Sequence, residues 1–146
     1  MGNTFRIVFE GNTIDRDTFL SDKFLYPLVA FLETNIHSTA SRHFAMFAKE
    51  IVKNIYDHAD GFGEATFEKK DDFLKFEIKD YGAKSYDLEA LKTGGTTKDT
   101  KYNKGIGLKM MIPAMAESLG IDLKIDSSHG FTYTGEWNHV LYLLQQ

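Results

Sequence analysis

Three polar side chains recur at helical spacing between Arg42 and Asp60. Glu50, Asn54 and Asp57 stand four and three residues apart, so on a helix they form one stripe. Apolar residues recur at the same intervals and predict a buried stripe beside it. These residues are Phe44, Phe47, Ala48, Ile51, Val52, Ile55 and Ala59. A carboxylate, an amide and a second carboxylate bordering a core are typical of a ligand cleft.

Two further segments carry chemistry that fits the same ligand. Asp80-Tyr81-Gly82 ends a predicted strand, where an acid can accept a hydrogen bond from an exocyclic amine such as that of adenine. Lys104-Gly105-Ile106-Gly107-Leu108 opens a predicted helix, whose free N–H groups and partial positive charge suit phosphates. Asn54 offers Mg²⁺ an oxygen ligand, and Glu50 can orient a water or hydroxyl near a γ-phosphate. The three segments together favour a nucleoside triphosphate site.

Hydrophobic periodicity predicts the elements that would position these groups. Strands are expected at residues 4–10, 64–70, 73–79, 121–126, 131–136 and 140–144, and helices within 15–32, 42–60 and 105–119. Asp15 or Asp17 can cap the first helix, Pro27 should kink it or mark a boundary, and Gly120 should end the last. Asp71-Asp72 predicts a hairpin turn. The order predicts one α+β domain over residues 1–146, a two-layer sandwich with a mixed or antiparallel sheet covered on one face by helices.

Local expectations accompany this outline. Residues 35–41 are expected to be a connection, with Ser38, Thr39 or Ser41 capping the helix that follows. The last helix is expected to bury Leu108, Met111, Ile112, Met115, Ala116 and Leu119. His129 and His139 fall in predicted turns, where solvent exposure is expected. His58 receives no catalytic role, because a lone histidine beside an apolar face usually packs.

Residues 83–104 differ from the rest of the chain. After a short helical piece at 86–91, KTGGTTKDTKYNK contains almost no apolar residue. A segment this long and hydrophilic is usually a functional loop in a compact domain, so a lid over the site is expected. The segment contains Lys92, Lys98, Lys101 and Lys104, of which Lys104, with Lys98 and Lys101, could supply countercharge to phosphates.

Composition excludes several classes of protein. The chain has 146 residues, a net charge of −4 and no cysteine, which argues against nucleic-acid binding, disulfides and zinc–thiolate sites. It contains no apolar run long enough to cross a membrane, and its N-terminus lacks the apolar centre of a signal peptide. A cytoplasmic protein with no membrane partner is therefore expected.

The order E-x-x-x-N, D-x-G, lid and G-x-G-L resembles the GHKL ATPase superfamily over residues 40–135. KEIVKNIYDHA and TTKDTKYNKGIGLKMM are most similar to the corresponding boxes of histidine kinases and anti-sigma serine kinases. The resemblance implies a Bergerat-type ATP-binding fold in which Glu50 is the catalytic acid, Asn54 the Mg²⁺ ligand and Asp80 the adenine reader. It also implies nucleotide contacts from Gly82, Lys104, Gly105, Gly107, Leu108 and Thr132.

The resemblance leaves the function open between three alternatives. One is a stand-alone protein kinase of the anti-sigma or histidine-kinase type that phosphorylates or regulates a partner protein. A second is a nucleotide-gated binding module without significant turnover, which is favoured by Lys84 standing where the family's D-x-G-x-G has its second glycine. A third is a degenerate domain that binds no nucleotide. Residues 4–32 could supply the surface of a homodimer.

Overall fold

A computed structural model describes residues 3–9, 15–58, 62–81, 111–126 and 131–146. Within these ranges five strands form one sheet in the order β1-β2-β3-β5-β4, and every neighbouring pair is antiparallel. The strands are β1 Thr4–Phe9, β2 Gly63–Lys70, β3 Phe73–Asp80, β4 Lys124–Asp126 and β5 Thr132–Asn138. The helices are α1 Arg16–Thr18, α2 Tyr26–Leu32, α3 Ser38–His58, α4 Ile112–Leu119 and α5 His139–Leu144. The predicted α+β class is confirmed, and the sheet is antiparallel.

Residues 16–32 form the leader helix, which changes its winding along its length. It begins at α1, continues through a π-helical segment, Phe19–Leu25, and ends as α2. Asp15 caps it, since its carboxylate accepts the N–H of Thr18 at 3.1 Å. Pro27 stands at the start of α2, where the π winding ends, which agrees with the predicted boundary.

Helix α3 begins four residues earlier than its periodicity predicted. Residues 38–41 are helical and not a connection. The cap comes from His37, whose Nδ1 accepts the N–H of Thr39 at 3.2 Å. The hydroxyl of Ser41, one of the predicted caps, donates instead to the carbonyl of Ile36. Burial of Ala40 and Ser41 extends the apolar stripe into this first turn.

One face of the sheet packs on the helices, and no other described element covers the second face, called the open face below. Alternate residues of β2, β3 and β5 point into the core, which confirms the predicted hairpin with its turn at Asp71 (φ 55°). The core contains Phe67, Leu74, Phe76, Ile78, Tyr133 and Trp137 from the sheet and the apolar stripe of α3 from the helices. The open face carries Arg6, Glu68, Lys75, Glu77 and Glu136. None of the helices in the described ranges combines the length and apolarity that crossing a membrane requires.

The C-terminal third contains three corrections. Residues 140–144 form α5 and not a strand, because the Asn138 side chain caps the N–H of Leu141 at 2.9 Å. His139 is therefore buried, 7% exposed, in contrast to the expected turn. Met111 is 45% exposed, although Ile112, Ala116 and Leu119 of α4 are buried as predicted. Gly120 ends α4 in the left-handed conformation, φ 78°, as expected.

Candidate functional site

Helix α3 holds its polar stripe at the border of the core. The side chain of Glu50 is 16% exposed and that of Asp57 is 25% exposed, whereas the apolar stripe beside them is buried. Asn54 lies between them, and its buried Nδ2 atom has no hydrogen-bond partner in the part of the chain that the structure describes. The stripe therefore has the half-buried position that its spacing predicted.

Asp80 ends β3 on the face that the helices cover. Strand alternation from Leu74 through Ile78 points its carboxyl toward the helices, and the residue is only 3% exposed. Its N–H donates to the carbonyl of Phe131 at 2.8 Å, which fixes the strand end. A carboxyl group thus stands at one end of the core, as the adenine-reader hypothesis requires.

Contacts between aromatic rings connect Asp80 with the C-terminal half of α3. The sheet register places Phe9, Gly63 and Asp80 side by side on three adjacent strands. The ring of Phe9 lies 5.5 Å from that of Phe19, which lies 5.0 Å from the ring of Tyr56. Because Tyr56 lies between Asn54 and Asp57 in the sequence of α3, this part of the helix and Asp80 lie at the same end of the sheet.

The first half of α3 lies over the other end of the sheet. Phe44 stacks on Trp137 of β5, with ring centroids 4.9 Å apart and an interplanar angle of 17°. One turn later, Phe47 packs on Phe76, in the middle of β3, at 5.7 Å. Helix α3 thus advances along the sheet in the direction of β3, which brings its polar stripe toward the end marked by Asp80.

Two cationic side chains contact the carboxylates of the stripe. Lys53 Nζ lies 4.0 Å from Glu50 Oε1, one turn apart on the same helix. Arg16 Nη1, at the start of the leader helix, donates to Asp57 Oδ1 at 2.7 Å. This hydrogen bond raises the pKa of the Arg16 guanidinium above its ordinary value. Sequence reasoning missed Arg16, because nothing in local spacing signals a contact across 41 residues.

Thr132 is not brought to the side of Asp80. Tyr133 and Trp137 of β5 are buried on the helix-covered face, so alternation puts Thr132 on the open face, where its register partner is Lys79. The other predicted nucleotide contacts lie outside the described residues: Gly82, Lys104, Gly105, Gly107 and Leu108. The same holds for the predicted lid, for Lys84 and for the helix expected at 86–91.

Tyr81 is hydrogen-bonded to a residue of the open face, beside the candidate site. Its hydroxyl donates to Glu64, whose other carboxylate oxygen accepts from Arg6. The hydrogen bond from Tyr81, together with that from Arg6, lowers the pKa of the Glu64 carboxyl. The phenol is 55% exposed and directed toward Glu64, so Tyr81 holds the end of β3 and not the core side of the site.

A magnesium ion is compatible with this stripe through Asn54. Within the described ranges, no group of three or more His, Asp or Glu side chains is placed to hold a metal. Mg²⁺ bound to nucleotides, however, commonly takes only one or two protein ligands and completes its shell with phosphates and water. The half-buried side chain of Asn54 carries Oδ1 as the oxygen ligand that this requires, and its Nδ2, which has no hydrogen-bond partner among the described residues, is a donor suited to a phosphate oxygen.

Comparison with known proteins adds no family to these observations. No protein-family model matches the chain, and no curated protein matches it. The candidate site therefore rests on its own residues: the stripe of Glu50, Asn54 and Asp57, and Asp80 at the same end of the sheet.

Proposed function

We propose that this chain binds ATP–Mg²⁺ at the end of the sheet where α3 and Asp80 meet. The observation that supports it most is Asn54, a half-buried amide between two carboxylates, whose Nδ2 donor has no hydrogen-bond partner among the described residues. A native protein rarely keeps such a group without a use, because an unsatisfied buried donor costs about 1–3 kcal/mol. The motif order, with its resemblance to GHKL ATPases and their Bergerat-type fold, supports the same ligand.

Each residue of the proposed site has one role. Asn54 would ligate Mg²⁺, which supplies charge neutralisation for the β- and γ-phosphates when bound. Asp80, buried at the strand end, would accept a hydrogen bond from the adenine amine. From the sequence, Lys104, Gly105 and Gly107 remain the proposed phosphate contacts. Thr132, directed to the open face, is left out of this set.

For the activity, the proposal is a cytoplasmic protein kinase that transfers the γ-phosphoryl group to a regulatory partner protein. Catalysis of this transfer is mostly positioning and charge stabilisation. Glu50, whose side chain is 16% exposed and which precedes Asn54 by one turn, would orient the attacking hydroxyl or water. The alternative is a nucleotide-gated binding module, which is favoured by Lys84 at the second glycine position of the family's D-x-G-x-G.

Thermal denaturation with and without ligand tests ATP binding directly. A ligand that binds the native state must raise the melting temperature, so millimolar ATP–Mg²⁺ should shift it upward and ATP with a chelator should shift it less. Asn54→Ala should remove the Mg²⁺-dependent part of the shift. No shift with the wild-type chain at millimolar ATP–Mg²⁺ would rule out both the kinase and the module.

Phosphoryl transfer to candidate partners separates the two alternatives. Glu50→Ala should abolish transfer while the melting shift with ATP–Mg²⁺ persists. Glu77→Ala is the matched control, because Glu77 lies on the open face with a side chain 47% exposed. Full transfer by Glu50→Ala would refute its assigned role, and tight ATP binding without transfer in the wild type would favour the gated module.

A further inference from the structure

Arg16 joins the leader helix to the polar stripe of α3. Its Nη1 atom lies 2.7 Å from Asp57 Oδ1, and its Nη2 atom lies 3.3 Å from Asp17 Oδ1. The side chain of Asp17 is 80% exposed, so solvent screens that second contact. The side chain of Arg16 is 41% exposed, so part of it faces solvent.

Asp57, which binds the guanidinium, stands about one helical turn from the proposed magnesium ligand. Asp57 follows Asn54 by three residues, and residues at that spacing on a helix have Cβ atoms about 5–6 Å apart. A triphosphate on Mg²⁺ at Asn54 extends over a comparable distance. Arg16 is therefore within reach of the phosphate chain, on the side of Asn54 opposite to Lys53 and Glu50.

The chemistry of the pair suits an anionic ligand. Without a ligand, Glu50, Asp57 and Asp80 outnumber the two described cations near the stripe, Arg16 and Lys53, and would repel phosphates. A guanidinium presents several N–H donors in a plane and binds phosphate oxygens in a bidentate manner. Asp57 accepts from Nη1 and orients the group, whereas Nε and Nη2 lie 3.3 Å from Asp17 Oδ1, an exposed carboxylate that a bound phosphate would replace.

A second ion pair between the same helices allows the effect on binding to be separated from an effect on stability. Arg42 Nε lies 3.6 Å from Glu33 Oε2, which joins α3 to the end of the leader helix. Arg42 precedes Asp57 by 15 residues, about 22 Å along a helix, so it is far from the proposed site.

We propose that Arg16 is a phosphate-binding residue of this site and makes it selective for nucleotides with a di- or triphosphate chain. The inference rests on the proposed ATP binding and adds a residue that the motif order does not contain. It also gives the leader helix a role in binding, because bound phosphate would connect that helix to α3 through Arg16.

The test compares dissociation constants of ATP–Mg²⁺, ADP–Mg²⁺ and adenosine by calorimetry. A lost hydrogen bond to a charged group predicts that Arg16→Gln weakens ATP about 10- to 100-fold and adenosine less than about twofold. Arg16→Lys keeps the charge but not the planar guanidinium, so it should weaken ATP less than Arg16→Gln does, again with a smaller effect on adenosine. It is the variant to use if Arg16→Gln does not fold. Arg42→Gln should leave all three constants unchanged.

The remaining outcomes would contradict either the role of Arg16 or the proposed ATP binding. If Arg16→Gln weakens ATP and adenosine equally, or lowers the melting temperature without weakening ATP binding, Arg16 is a structural contact and the inference is wrong. ATP binding then stands. If the wild-type chain binds neither ATP nor ADP, the proposed function itself is wrong and the inference falls with it.

Discussion

The ammonium group of Lys69 lies 2.9 Å from the carbonyl oxygen of Phe31 and 4.2 Å from the centre of its ring. Lys69 is only 6% exposed, on the inward face of β2, and also donates to the hydroxyl of Thr34. Burial lowers the pKa of this ammonium below its ordinary value. The side chain caps the carboxyl end of α2, where carbonyl groups lack helical partners and a cation is favourable.

Replacement of Lys69 should separate its packing from its hydrogen bonds. Lys69→Met keeps the stem against Phe31 but leaves the carbonyl without its donor, so the free energy of unfolding should fall by about 1–2 kcal/mol. Lys69→Ala also opens a cavity and should cost about 2–4 kcal/mol. Urea denaturation measures both. Lys75→Ala, on the open face, is the control and should change the free energy by less than about 0.5 kcal/mol. Equal losses of unfolding free energy in Lys69→Met and Lys69→Ala would contradict a packing contribution from the Lys69 stem.

His139 should make the protein less stable in mild acid. Burial lowers the pKa of its imidazole below the ordinary 6.5, against the opposing effects of a hydrogen bond to the backbone of Asp71 and the charge of Asp72. Between the lowered pKa and 6.5 the unfolded chain binds more protons than the folded one. The free energy of unfolding contributed by His139 is therefore complete above pH 6.5 and falls as the pH falls below it.

Denaturation at pH values from 8 to 5 tests this contribution. The wild-type free energy of unfolding should decline below about pH 6.5, and His139→Asn should reduce that slope because asparagine does not titrate. The range ends above the region where the carboxyl of Glu64 takes up its proton. An unchanged slope in His139→Asn would assign the acid sensitivity to other groups.

Two glycines should be intolerant of alanine for different reasons. A Cβ on Gly63 would lie 2.3 Å from the carbonyl oxygen of Lys79 and 2.8 Å from the ring of Phe9, so the strands would have to separate next to Asp80. We expect Gly63→Ala to lower the free energy of unfolding by about 2–3 kcal/mol, as overpacking does. Gly120 has open space around it but a φ of 78°, so Gly120→Ala should cost about 1–2 kcal/mol of backbone strain.

Melting with ATP–Mg²⁺ gives the two glycine variants different second readouts. Gly63→Ala disturbs the register row of Phe9, Gly63 and Asp80 and should therefore reduce the ligand-induced shift of the melting temperature. Gly120→Ala acts at the end of α4 and should keep the shift of the wild type. Equal ligand-induced shifts of the melting temperature in both variants would show that the row of Phe9, Gly63 and Asp80 does not contribute to nucleotide binding.

The sequence predicted the elements whose signals are local. The 3.6-residue periodicity of α3 and the alternation of the β2–β3 hairpin concern neighbouring residues, so both element types were predicted correctly, although α3 begins four residues earlier than expected. The strand predicted at residues 140–144 was wrong for a physical reason. The segment VLYLL has no alternation that would separate strand from helix, and the cap from Asn138 favours the helix. A short apolar run is therefore ambiguous without its flanking contacts.

The candidate site was predictable along α3 and at Asp80, where a predicted strand ends. Glu50, Asn54 and Asp57 share a helix, so their spacing alone places them beside the core. Arg16 and the inward-facing Lys69 depend on contacts across 41 and 38 residues, which no local pattern encodes. Thr132 was chosen by family resemblance, whereas the alternation of β5, set by buried Tyr133 and Trp137, directs it to the other face.

Asn54 should be retained for binding at a cost in stability. Because its buried Nδ2 has no described hydrogen-bond partner, Asn54→Ala removes an unsatisfied group and should leave the free energy of unfolding unchanged or raise it by up to about 1 kcal/mol. Asn138→Ala is the matched control: its side chain caps α5, and losing that cap should cost about 1 kcal/mol. Urea denaturation without nucleotide measures both. If Asn54→Ala destabilises the protein as Asn138→Ala does, the amide is satisfied in the native state and the main structural support for a ligand at Asn54 is lost. A stable Asn54→Ala variant that has lost only its Mg²⁺-dependent ATP shift would mean that this side chain is kept for its ligand.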